Sequence, residues 1–380
     1  MQKSSFDEKG CLMNIIIGDL FESRAKTLVN TVNCVGVMGK GIALEFKKRY
    51  PAMFEEYEQL CSRKEVAPGK PYHYSDLYGT SIINFPTKDH WRSPSKFSYI
   101  ASGLDWFRAN YKKYHITSVA FPPLGCGNGG LPWTVVGPLM YEKLHDLPID
   151  IEIYAPFGTP VQQLSIEFME AHSSHSSWEM EGKRALPFNK YWLFILYAIN
   201  KMNHNRYSLN VGRTIRQKIC YVLSRSGLPM GFTFRERSYG PFSAEVDQAV
   251  MTLSNANYMT EKQAGQMIET VVSPSFSFPY WEFTEQEIQA ANRAIDLLCR
   301  IKNTDHAEMI ATVLFSYDEL KAQKSLEPRD IDVYQHIIKW KKRWEDSKKE
   351  EVIRTIWNLA SLGWMTPVVS GELQIDDDLF

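Results

Sequence analysis

Residues 125–131 read Gly-Cys-Gly-Asn-Gly-Gly-Leu, and they stand between an apolar run, Ile116–Phe121, and a helix-like stretch, Trp133–Leu144. Four glycines in six residues leave the main chain free to turn its N–H groups toward one point. A strand, a glycine turn and the start of a helix together form a cradle for an anion. The stretch therefore predicts a phosphate site, although glycine-rich turns are common and this one alone does not identify the phosphate ester.

A second glycine-rich segment lies at residues 28–46, Leu-Val-Asn-Thr-Val-Asn-Cys-Val-Gly-Val-Met-Gly-Lys-Gly-Ile-Ala-Leu-Glu-Phe. An apolar run ends at Asn30, a second asparagine follows three residues later, and three glycines precede a helical pattern that begins at Ile42. The spacing is that of neither a Walker loop, which needs Gly-Lys-Ser/Thr, nor a Rossmann loop. Ahead of this segment a short strand, Ile15–Ile17, closes on an acid at Asp19.

Together these segments resemble the macrodomain family, the α/β modules that bind ADP-ribose. The resemblance covers about Met13 to Pro156 and rests on Gly-Asp-Leu after the first strand, Val-Asn-Thr-Val-Asn, and the two glycine loops in that order. A further motif, Asn84-Phe85-Pro86-Thr87-Lys88-Asp89-His90-Trp91, is similar to the catalytic segment of the DarG antitoxins. These resemble the lysine-dependent branch of macrodomain glycohydrolases, which cut ADP-ribose from its acceptor.

Strand and helix patterns alternate in the first part of the chain. Strand-like runs occur at 14–17, 27–32, 81–85, 116–121 and 150–155, and helical patterns occur near 40–63, 95–113 and 133–145. This alternation predicts an α/β macrodomain with a mixed, largely parallel sheet between helices. Because all the motifs follow strand ends, we expect them to line one crevice.

The length of 380 residues predicts two domains. We expect a disordered leader at 1–12 (Met13 being an alternative start), the macrodomain at 13–158, a helix and Ser-rich linker at 159–184, and a mainly helical domain at 185–380. Its helical patterns lie at 189–203, 211–226, 243–257, 284–301, 304–316, 329–345 and 347–362.

The C-terminal part contains an internal echo, in which Asn257-Tyr-Met-Thr260 parallels Gly363-Trp-Met-Thr366. Each would end a helix with a left-handed cap and lead into a strand, which is a winged-helix pattern. The motif Arg237-Ser-Tyr-Gly-Pro-Phe-Ser243 is similar to an element of winged-helix antitoxin-type domains. Coincidence between two ordinary capped helices stays open as the alternative.

The net charge of −1 and pI near 6.8 exclude a global basic field that would hold nucleic acid. Six scattered cysteines without a CxxC pair indicate reduced thiols in a cytoplasmic protein, with neither a zinc site nor a disulfide framework. No stretch has the apolar length of a membrane span, and the N-terminus lacks the apolar region of a secretory signal.

Lys88 is the leading catalytic candidate, although most lysines are solvated loop residues. The resemblance implies that its amine attacks C1″ of the distal ribose, expels the acceptor base and leaves an adduct that water resolves. An ordinary lysine has a pKa of about 10.4 and is almost wholly protonated at neutral pH, so burial or nearby cations would have to lower that pKa. The alternative is that the protonated amine assists departure of the base as a general acid. No cofactor or metal is implied.

Asn33 is the second catalytic candidate, because an amide can donate to and accept from the ribose diol at once. Its alternative role is a turn asparagine that satisfies its own backbone, while Asn30 would be structural. The resemblance implies that Asp19 accepts a hydrogen bond from the adenine amino group, although it could also cap the helix after Leu20. The other residues assigned to ADP-ribose are Leu20, Asn30, Gly36, Met38, Gly39, Gly41, Thr87, Gly125, Cys126, Gly127, Asn128 and Gly129. A reactive role of the Cys126 thiol is not expected, since nothing beside it in sequence lowers its pKa.

One position departs from the related lysine-dependent enzymes, which carry an aspartate in the second loop where this chain has Gly129. Asp89 and Asp76 are unranked candidates for the missing acid. Trp91 and Arg92 could form a platform for the modified base and its neighbours, although tryptophan usually packs. Two basic runs, Lys47–Arg49 and Lys339–Trp344, are expected to be solvated, with the tryptophans of the second run packing inward.

Three functions compete. The first, implied by the resemblance to DarG, is a glycohydrolase that removes ADP-ribose from thymidine bases in single-stranded DNA, where the partner toxin DarT attaches it. In this reading the C-terminal domain binds and neutralises DarT. Acidic surface for that contact is offered by Glu179, Glu181, Asp376, Asp377 and Asp378. The second is a non-catalytic reader of ADP-ribose. The third is an ADP-ribose-sensing DNA-binding regulator, which the lack of Lys and Arg over Ser243–Asn257 disfavours.

Overall fold

The computed structural model describes residues 5–6, 12–173, 186, 188–203, 210–264, 267–324 and 326–374. The chain divides into two compact units. The first comprises Met1–Phe188 with Val250–Ala256, and the second comprises Asn189–Ala249 with Asn257–Phe380. Among the described helices, none is long and apolar enough to cross a membrane.

A seven-stranded sheet forms the centre of the first unit. Its strands are β1 Ser5–Phe6, β2 Leu12–Ile16, β3 Thr27–Val32, β4 Tyr72–Ser75, β5 Ser81–Pro86, β6 Ser118–Phe121 and β7 Asp150–Tyr154. They lie in the order β1-β2-β7-β6-β3-β5-β4. The five central strands are parallel, whereas β1 and β4 pair antiparallel at the two edges. The expected mixed, largely parallel sheet is therefore confirmed.

Helices cover both faces of this sheet. They are α1 Gly41–Arg49, α2 Pro51–Ser62, α3 Phe97–Asn110, α4 Trp133–Leu144 and α5 Ile166–His172. Neighbouring strand residues such as Ile82 and Ile83 point to opposite faces and belong to different cores, one built with α1 and α2 and the other with α3, α4 and α5. The apolar run of β5 thus serves both cores, which is typical of a parallel strand buried on both faces.

Several element bounds differ from the sequence-based expectation. The predicted helix 40–63 is two helices, because Tyr50 adopts an extended φ of −129° and Pro51 starts a new helix at its first turn. The edge strand β4 was not predicted, since Tyr-His-Tyr-Ser lacks an apolar alternation. The helix predicted within 159–184 is a 3₁₀ turn, Val161–Leu164, followed by α5, which Ser165 caps.

The second unit is mainly helical. Its helices are α6 Leu193–Asn203, α7 Arg213–Arg225, the start of α8 Glu245–Asn255, α9 Glu285–Cys299, α10 Thr304–Lys324, α11 Asp330–Trp340, α12 Trp344–Ser347 and α13 Lys349–Ser361. The residues of α8 from Val250 onward belong to the first unit. One antiparallel hairpin, β8 Met259–Ala264 and β9 Met267–Val272, follows α8. The expected helical character of the C-terminal region is confirmed.

The structure agrees with one half of the predicted internal echo between Asn257–Thr260 and Gly363–Thr366. Asn257 and Gly363 both have the left-handed φ that the caps require, +59° and +71°. The first leads into β8, but the predicted strand after Gly363 is wrong, because in the described part up to residue 374 only an isolated bridge between Arg329 and Val368 forms. Among the described residues a helix followed by a hairpin therefore occurs once, and a winged-helix fold is not confirmed.

The Arg237–Ser243 motif is a loop that buried side chains of α7 hold in place. The Gln217 amide donates to the Ser243 carbonyl and accepts from the Ser243 N–H, both at 3.0 Å. Lys218, only 2% exposed, donates to the Pro241 carbonyl at 2.9 Å. A Cβ at Gly240, whose φ is +87°, would lie 3.1 Å from Lys218 Nζ. The motif therefore stands out in the sequence because its turn requires glycine at position 240 and is held by the side chains of Gln217 and Lys218.

The second basic run also differs from expectation. Trp344 is buried as predicted, but so is Lys341, whose ammonium contacts the buried carboxylate of Glu308 at 2.8 Å. A lysine can be buried when a carboxylate and main-chain carbonyls replace its water, and here Ser238 and Arg237 supply those carbonyls. The predicted acidic surface at Glu179, Glu181 and Asp376–Asp378 lies outside the described residues, as do most of the predicted leader and the linker from residue 174 to 184.

Candidate functional site

The predicted motifs meet at one edge of the sheet. They follow the carboxyl ends of β2, β3, β5 and β6, which are parallel strands and therefore end at the same edge. The two glycine loops touch there, because a Cβ on Gly41 would lie only 3.2 Å from the Asn128 side-chain nitrogen. The motifs thus share one edge of the sheet, as the sequence predicts.

The first glycine loop is built around the side chain of Asn33. Its Oδ1 accepts hydrogen bonds from the Val35 N–H at 3.0 Å and the Tyr57 hydroxyl at 3.1 Å, and its Nδ2 donates to the Val37 carbonyl at 2.5 Å. The Tyr57 hydroxyl, fully buried, also reaches the Asn33 carbonyl at 2.9 Å. In this arrangement the Asn33 amide has the role of a turn asparagine, and a contact with a ribose stays a prediction.

The end of the same loop presents main-chain donors. Gly36 and Gly41 have left-handed φ values of +76° and +57°, which only glycine adopts without strain. The helix α1 begins at Gly41, and Lys40 before it forms no side-chain cap. The first N–H groups of an uncapped helix have no partner within the helix and attract anions. Met38, 2% exposed, anchors the loop in the core below, and Gly39 at the surface has space around it.

Asn30 is structural in this arrangement. It is fully buried on β3, and its Nδ2 donates to Asn84 Oδ1 on the paired strand β5 at 2.9 Å. Its Oδ1 has no partner among the described groups. The Asn30–Asn84 pair thus ties together the two strands that lead to the first glycine loop and to Lys88.

Lys88 reaches from the end of β5 to the second glycine loop, where its Nζ donates to the main-chain carbonyl of Asn128. The preceding residue, Thr87, is buried and its N–H bonds to the Val32 carbonyl at 3.0 Å. Cys34 holds the segment from the other side, since its thiol lies 3.3 Å from the Lys88 carbonyl and its N–H lies 3.0 Å from the Asp89 carbonyl. The amine is therefore directed between the two loops.

The second glycine loop is a tight double turn. Leu131 N–H bonds to the Gly125 carbonyl and Gly130 N–H to the Gly127 carbonyl, both at 3.0 Å. The exposed tip is Gly127 and Asn128, and around Gly127 a Cβ would meet nothing within 4 Å. In the described structure no bond is recorded for the N–H groups of Gly127, Asn128 or Gly129. Consecutive unpaired amides of this kind form an anion-binding nest.

Gly129 has no room for a side chain. A Cβ there would lie 2.2 Å from the Gly125 carbonyl oxygen and 2.3 Å from Ser95 Oγ. Position 129 therefore has no space for the acid that the resemblance places in this loop. Asp76 cannot replace it either, because its carboxylate caps the β4–β5 turn by accepting from the Tyr78 and Thr80 N–H groups at 2.9 Å, at the other end of β5. Asp89, next to Lys88 and exposed, remains as the acid nearest in the chain.

At the β2 end, Asp19 caps a 3₁₀ turn, Leu20–Glu22, by accepting from the Phe21 N–H at 2.9 Å. Its carboxylate is exposed and Leu20 is buried, so the capping role is realised and an adenine contact stays a prediction. Sequence reasoning missed Phe157, which follows β7 at the same edge and is 81% exposed. The sequence does contain an indication of this residue, because a bulky apolar side chain stands among Pro156, Gly158 and Thr159, in a turn where no core position is expected.

The two cysteines of the site are poor nucleophiles. Burial raises the pKa of the Cys126 thiol far above its ordinary value, and burial together with the Asp89 carboxylate does the same for Cys34. A thiol with a raised pKa stays protonated at neutral pH. The expectation that Cys126 is not reactive agrees with this environment.

Trp91 and Arg92 lie beside the site on the turn after Lys88. Trp91 is 42% exposed, its ring stacks on His90 at 5.5 Å between centroids, and the Arg92 guanidinium carbon lies 4.4 Å from the ring centroid. These residues form a surface feature and do not pack into the core.

Comparisons with known proteins agree with this geometry. A sequence profile of the Macro domain family matches residues 29–140. The chain is 38% identical over 250 residues to a DNA ADP-ribosyl glycohydrolase of Mycobacterium tuberculosis, covering 63% of this chain and 66% of that protein. It is 42% identical over 177 residues to a DNA ADP-ribosyl transferase–DNA ADP-ribosyl glycohydrolase fusion protein of Thermosipho africanus, covering 41% and 46%.

Among solved structures, the macrodomain of Mycobacterium tuberculosis DarG is 50% identical and aligns with 39% of this chain and 99% of that one, at a TM-score of 0.37. The matches to the curated relatives thus span about two thirds of their length or less. The Macro domain profile covers both glycine loops and Lys88, so residues 29–140 of this chain form a domain of the macrodomain family, and the chain is similar to curated DNA ADP-ribosyl glycohydrolases.

Proposed function

We propose that this chain removes ADP-ribose from thymidine bases in single-stranded DNA and acts as the antitoxin of a DNA ADP-ribosyltransferase of the DarT type. The observation that carries the catalytic part is the Lys88 amine, which extends from β5 to the carbonyl of Asn128 in the second glycine loop. A protein that only binds the nucleotide needs no amine between two anion-binding loops. The relatives named DNA ADP-ribosyl glycohydrolase support the choice of DNA as acceptor.

In the proposed complex the two loops hold the diphosphate of ADP-ribose. The nest at Gly127–Gly129 and the uncapped start of α1 at Gly41 both direct N–H groups into the crevice, and a diphosphate offers each an anion. Phe157 and Asp19, at the β2 and β7 end, provide an aromatic face and a carboxylate for the adenine ring. The distal ribose then lies toward Lys88 and Asn33.

The proposed reaction begins with attack of unprotonated Lys88 Nζ on C1″ of the distal ribose. The bond between C1″ and the base nitrogen breaks, its electron pair stays on that nitrogen, and a proton restores the neutral base. The lysine nitrogen loses one proton to solvent, and its lone pair then forms the C=N bond of a protonated Schiff base as the C1″–O4″ bond breaks and O4″ takes up a proton. Water adds to C1″, the C1″–Nζ bond breaks, and ADP-ribose leaves with the amine regenerated.

The acid that activates this water differs from that of related enzymes, since position 129 has no space for a carboxylate. We assign this role to Asp89. Its main chain is fixed by the bond from Cys34, while its side chain is exposed and free to turn toward the crevice. Replacement by asparagine should slow the release of ADP-ribose from the lysine adduct more than it slows formation of that adduct.

The second unit is proposed to bind and inhibit the toxin. The Thermosipho relative in which a DNA ADP-ribosyl transferase and a glycohydrolase are fused supports an association of the two activities. The described cysteines, Cys34, Cys61, Cys126, Cys220 and Cys299, are all free thiols, which fits action in the reducing cytoplasm. A full-length Lys88→Ala protein should still inhibit DNA modification by the purified toxin, and loss of that inhibition would remove this half of the proposal.

The decisive experiment compares acceptors. The protein is incubated with an oligonucleotide that carries ADP-ribose on one thymidine and, separately, with ADP-ribosylated proteins. We expect release of ADP-ribose from the oligonucleotide. Release from the proteins alone would overturn the substrate assignment, and tight binding of ADP-ribose without release from either would favour a reader.

A further inference from the structure

Three flat side chains that follow Lys88 form an exposed stack. The rings of His90 and Trp91 lie 5.5 Å apart with 30° between their planes, and the Arg92 guanidinium carbon lies 4.4 Å from the Trp91 ring centroid. Trp91 is 42% exposed, whereas tryptophan is ordinarily well buried. An exposed tryptophan beside a cation and an imidazole is the composition of a stacking surface for nucleobases.

The stack has no role in either core of the macrodomain. Trp91 is not among the described residues that build the two hydrophobic cores. Its recorded ring contacts are with His90 and Arg92, its own neighbours in the chain. Packing therefore does not explain why this large apolar ring is kept at the surface.

The turn that carries the stack is fixed at both ends. Thr87 N–H bonds to the Val32 carbonyl, and the Asp89 carbonyl accepts from Cys34 N–H, both at 3.0 Å. Beyond the stack, Ser95 N–H bonds to the Gly129 carbonyl at 3.1 Å. The segment thus spans from the first glycine loop to the second, and its surface is held in a defined position beside the site.

The turn is also braced internally. The Arg92 N–H donates to His90 Nδ1 at 3.1 Å, and the Ser93 N–H donates to the His90 carbonyl at 2.9 Å. These bonds orient the imidazole and reduce the ordering that a ligand would require. A preformed surface of this kind binds with a smaller entropic loss than a mobile one.

We propose that the His90–Trp91–Arg92 stack is a second nucleotide subsite, which binds the unmodified nucleotide next to the ADP-ribosylated thymidine in single-stranded DNA. This inference rests on the proposed function and extends it from the modified base to the strand. The base of the neighbouring nucleotide stacks on the flat groups, and the Arg92 guanidinium faces the phosphate that joins the two nucleotides. The Trp91 Cα lies at most about 11 Å from that of Lys88, the reach of three residues.

The stacking interaction determines which substrates this subsite can distinguish. Every base has a π face, so stacking tolerates any sequence, and the subsite distinguishes a DNA strand from an isolated nucleoside or a protein acceptor. It also requires an unpaired neighbour, because a base in a duplex is already stacked. The enzyme should therefore prefer a modified oligonucleotide to modified thymidine itself.

The test compares two substrates, ADP-ribosyl-thymidine and a pentanucleotide with the same modified thymidine at its centre. Trp91→Ala should lower kcat/KM for the pentanucleotide by about 10- to 100-fold, chiefly through KM, while turnover of the nucleoside changes by much less. Trp91→Phe should restore most of the preference, since it keeps an aromatic face. Arg92→Gln should weaken the salt dependence of binding by about one unit of slope.

The matched control is Tyr78→Ala, which removes an aromatic ring that is 96% exposed on the β4–β5 turn at the opposite end of the sheet. It should leave both substrates unaffected. Equal losses on both substrates in Trp91→Ala, or no preference for the pentanucleotide in the wild-type protein, would overturn the inference.

A binding experiment tests the subsite even if the protein shows no turnover. Equilibrium binding of the same two substrates to the Lys88→Ala protein provides the second measurement. The pentanucleotide should bind more tightly than the nucleoside, and Trp91→Ala in that background should remove the difference. Equal affinity for both substrates would refute the subsite, whereas absence of turnover with intact preference would refute only the proposed catalysis.

Discussion

Gly129→Ala is the substitution that most directly examines how the second glycine loop is built. The new Cβ would lie 2.2 Å from the Gly125 carbonyl oxygen, which is main chain and cannot rotate away, and 2.3 Å from the oxygen of Ser95, which is fully buried. The loop must therefore move. The movement strains two main-chain bonds, from Leu131 N–H to Gly125 and from Ser95 N–H to Gly129.

The magnitude follows from these contacts. Overpacking of a buried position costs about 1–3 kcal/mol, and loss of two hydrogen bonds adds roughly 0.5–1.5 kcal/mol each. The free energy of unfolding of the macrodomain should fall by roughly 2–6 kcal/mol, which corresponds to a decrease in Tm on the order of 10 °C. Affinity for ADP-ribose should fall with it, because the nest of N–H groups loses its shape.

The assay pairs calorimetric unfolding with titration of ADP-ribose, and the control is Gly127→Ala. A Cβ at Gly127 meets nothing within 4 Å, so this variant should keep the wild-type Tm even where its methyl group hinders the diphosphate. A Gly129→Ala protein with wild-type Tm and wild-type affinity would refute the description of this loop.

Three further predictions concern other parts of the chain. Burial lowers the pKa of Lys218 from its ordinary 10.5 to about 7, so the unfolded chain binds a proton that the folded chain lacks between these values; stability should therefore rise from pH 7 to pH 9, by up to about 1.4 kcal/mol per pH unit, and Lys218→Met should flatten this slope in urea unfolding. Arg216 and Glu261 form an ion pair in which both side chains are 2% exposed; Arg216→Met leaves the carboxylate buried and should cost about 3–5 kcal/mol, whereas the double substitution with Glu261→Leu should recover much of it, and an unchanged single variant would contradict the pairing. Tyr57→Phe removes the hydroxyl that holds Asn33; ADP-ribose should bind about 2- to 10-fold more weakly, and an unaltered dissociation constant would show that the loop does not depend on this bond.

The sequence was sufficient for the arrangement of the first unit because its signals are local and repeated. Strand ends such as Asn30 and Pro86 are followed by glycine or polar motifs, and parallel strands bring such ends to one edge. The sequence therefore predicts that one edge of the sheet carries the two glycine loops, Lys88 and Asp19. The short polar strand Tyr72–Ser75 escaped prediction, since edge strands need not alternate.

Other features depend on tertiary contacts that no local pattern encodes. Nothing in the sequence near Asn33 indicates that Tyr57, from α2, would occupy its side-chain oxygen. The lack of space at Gly129 comes from Gly125 and from Ser95 on another segment. Likewise Lys341 looked solvated among Lys339, Lys342 and Arg343, and only the buried Glu308 from α10 explains its position.

The measurement that bears most directly on the central claim is reductive trapping of the reaction intermediate. The protein is mixed with an oligonucleotide carrying ADP-ribosyl-thymidine, borohydride is added during turnover, and the digested protein is analysed by mass spectrometry. A Schiff base at C1″ would be reduced to a stable adduct, so we predict ADP-ribose attached to the peptide that contains Lys88, and none in Lys88→Ala. Full turnover by Lys88→Ala, or wild-type turnover with no trapped adduct on that peptide, would contradict nucleophilic catalysis by this lysine.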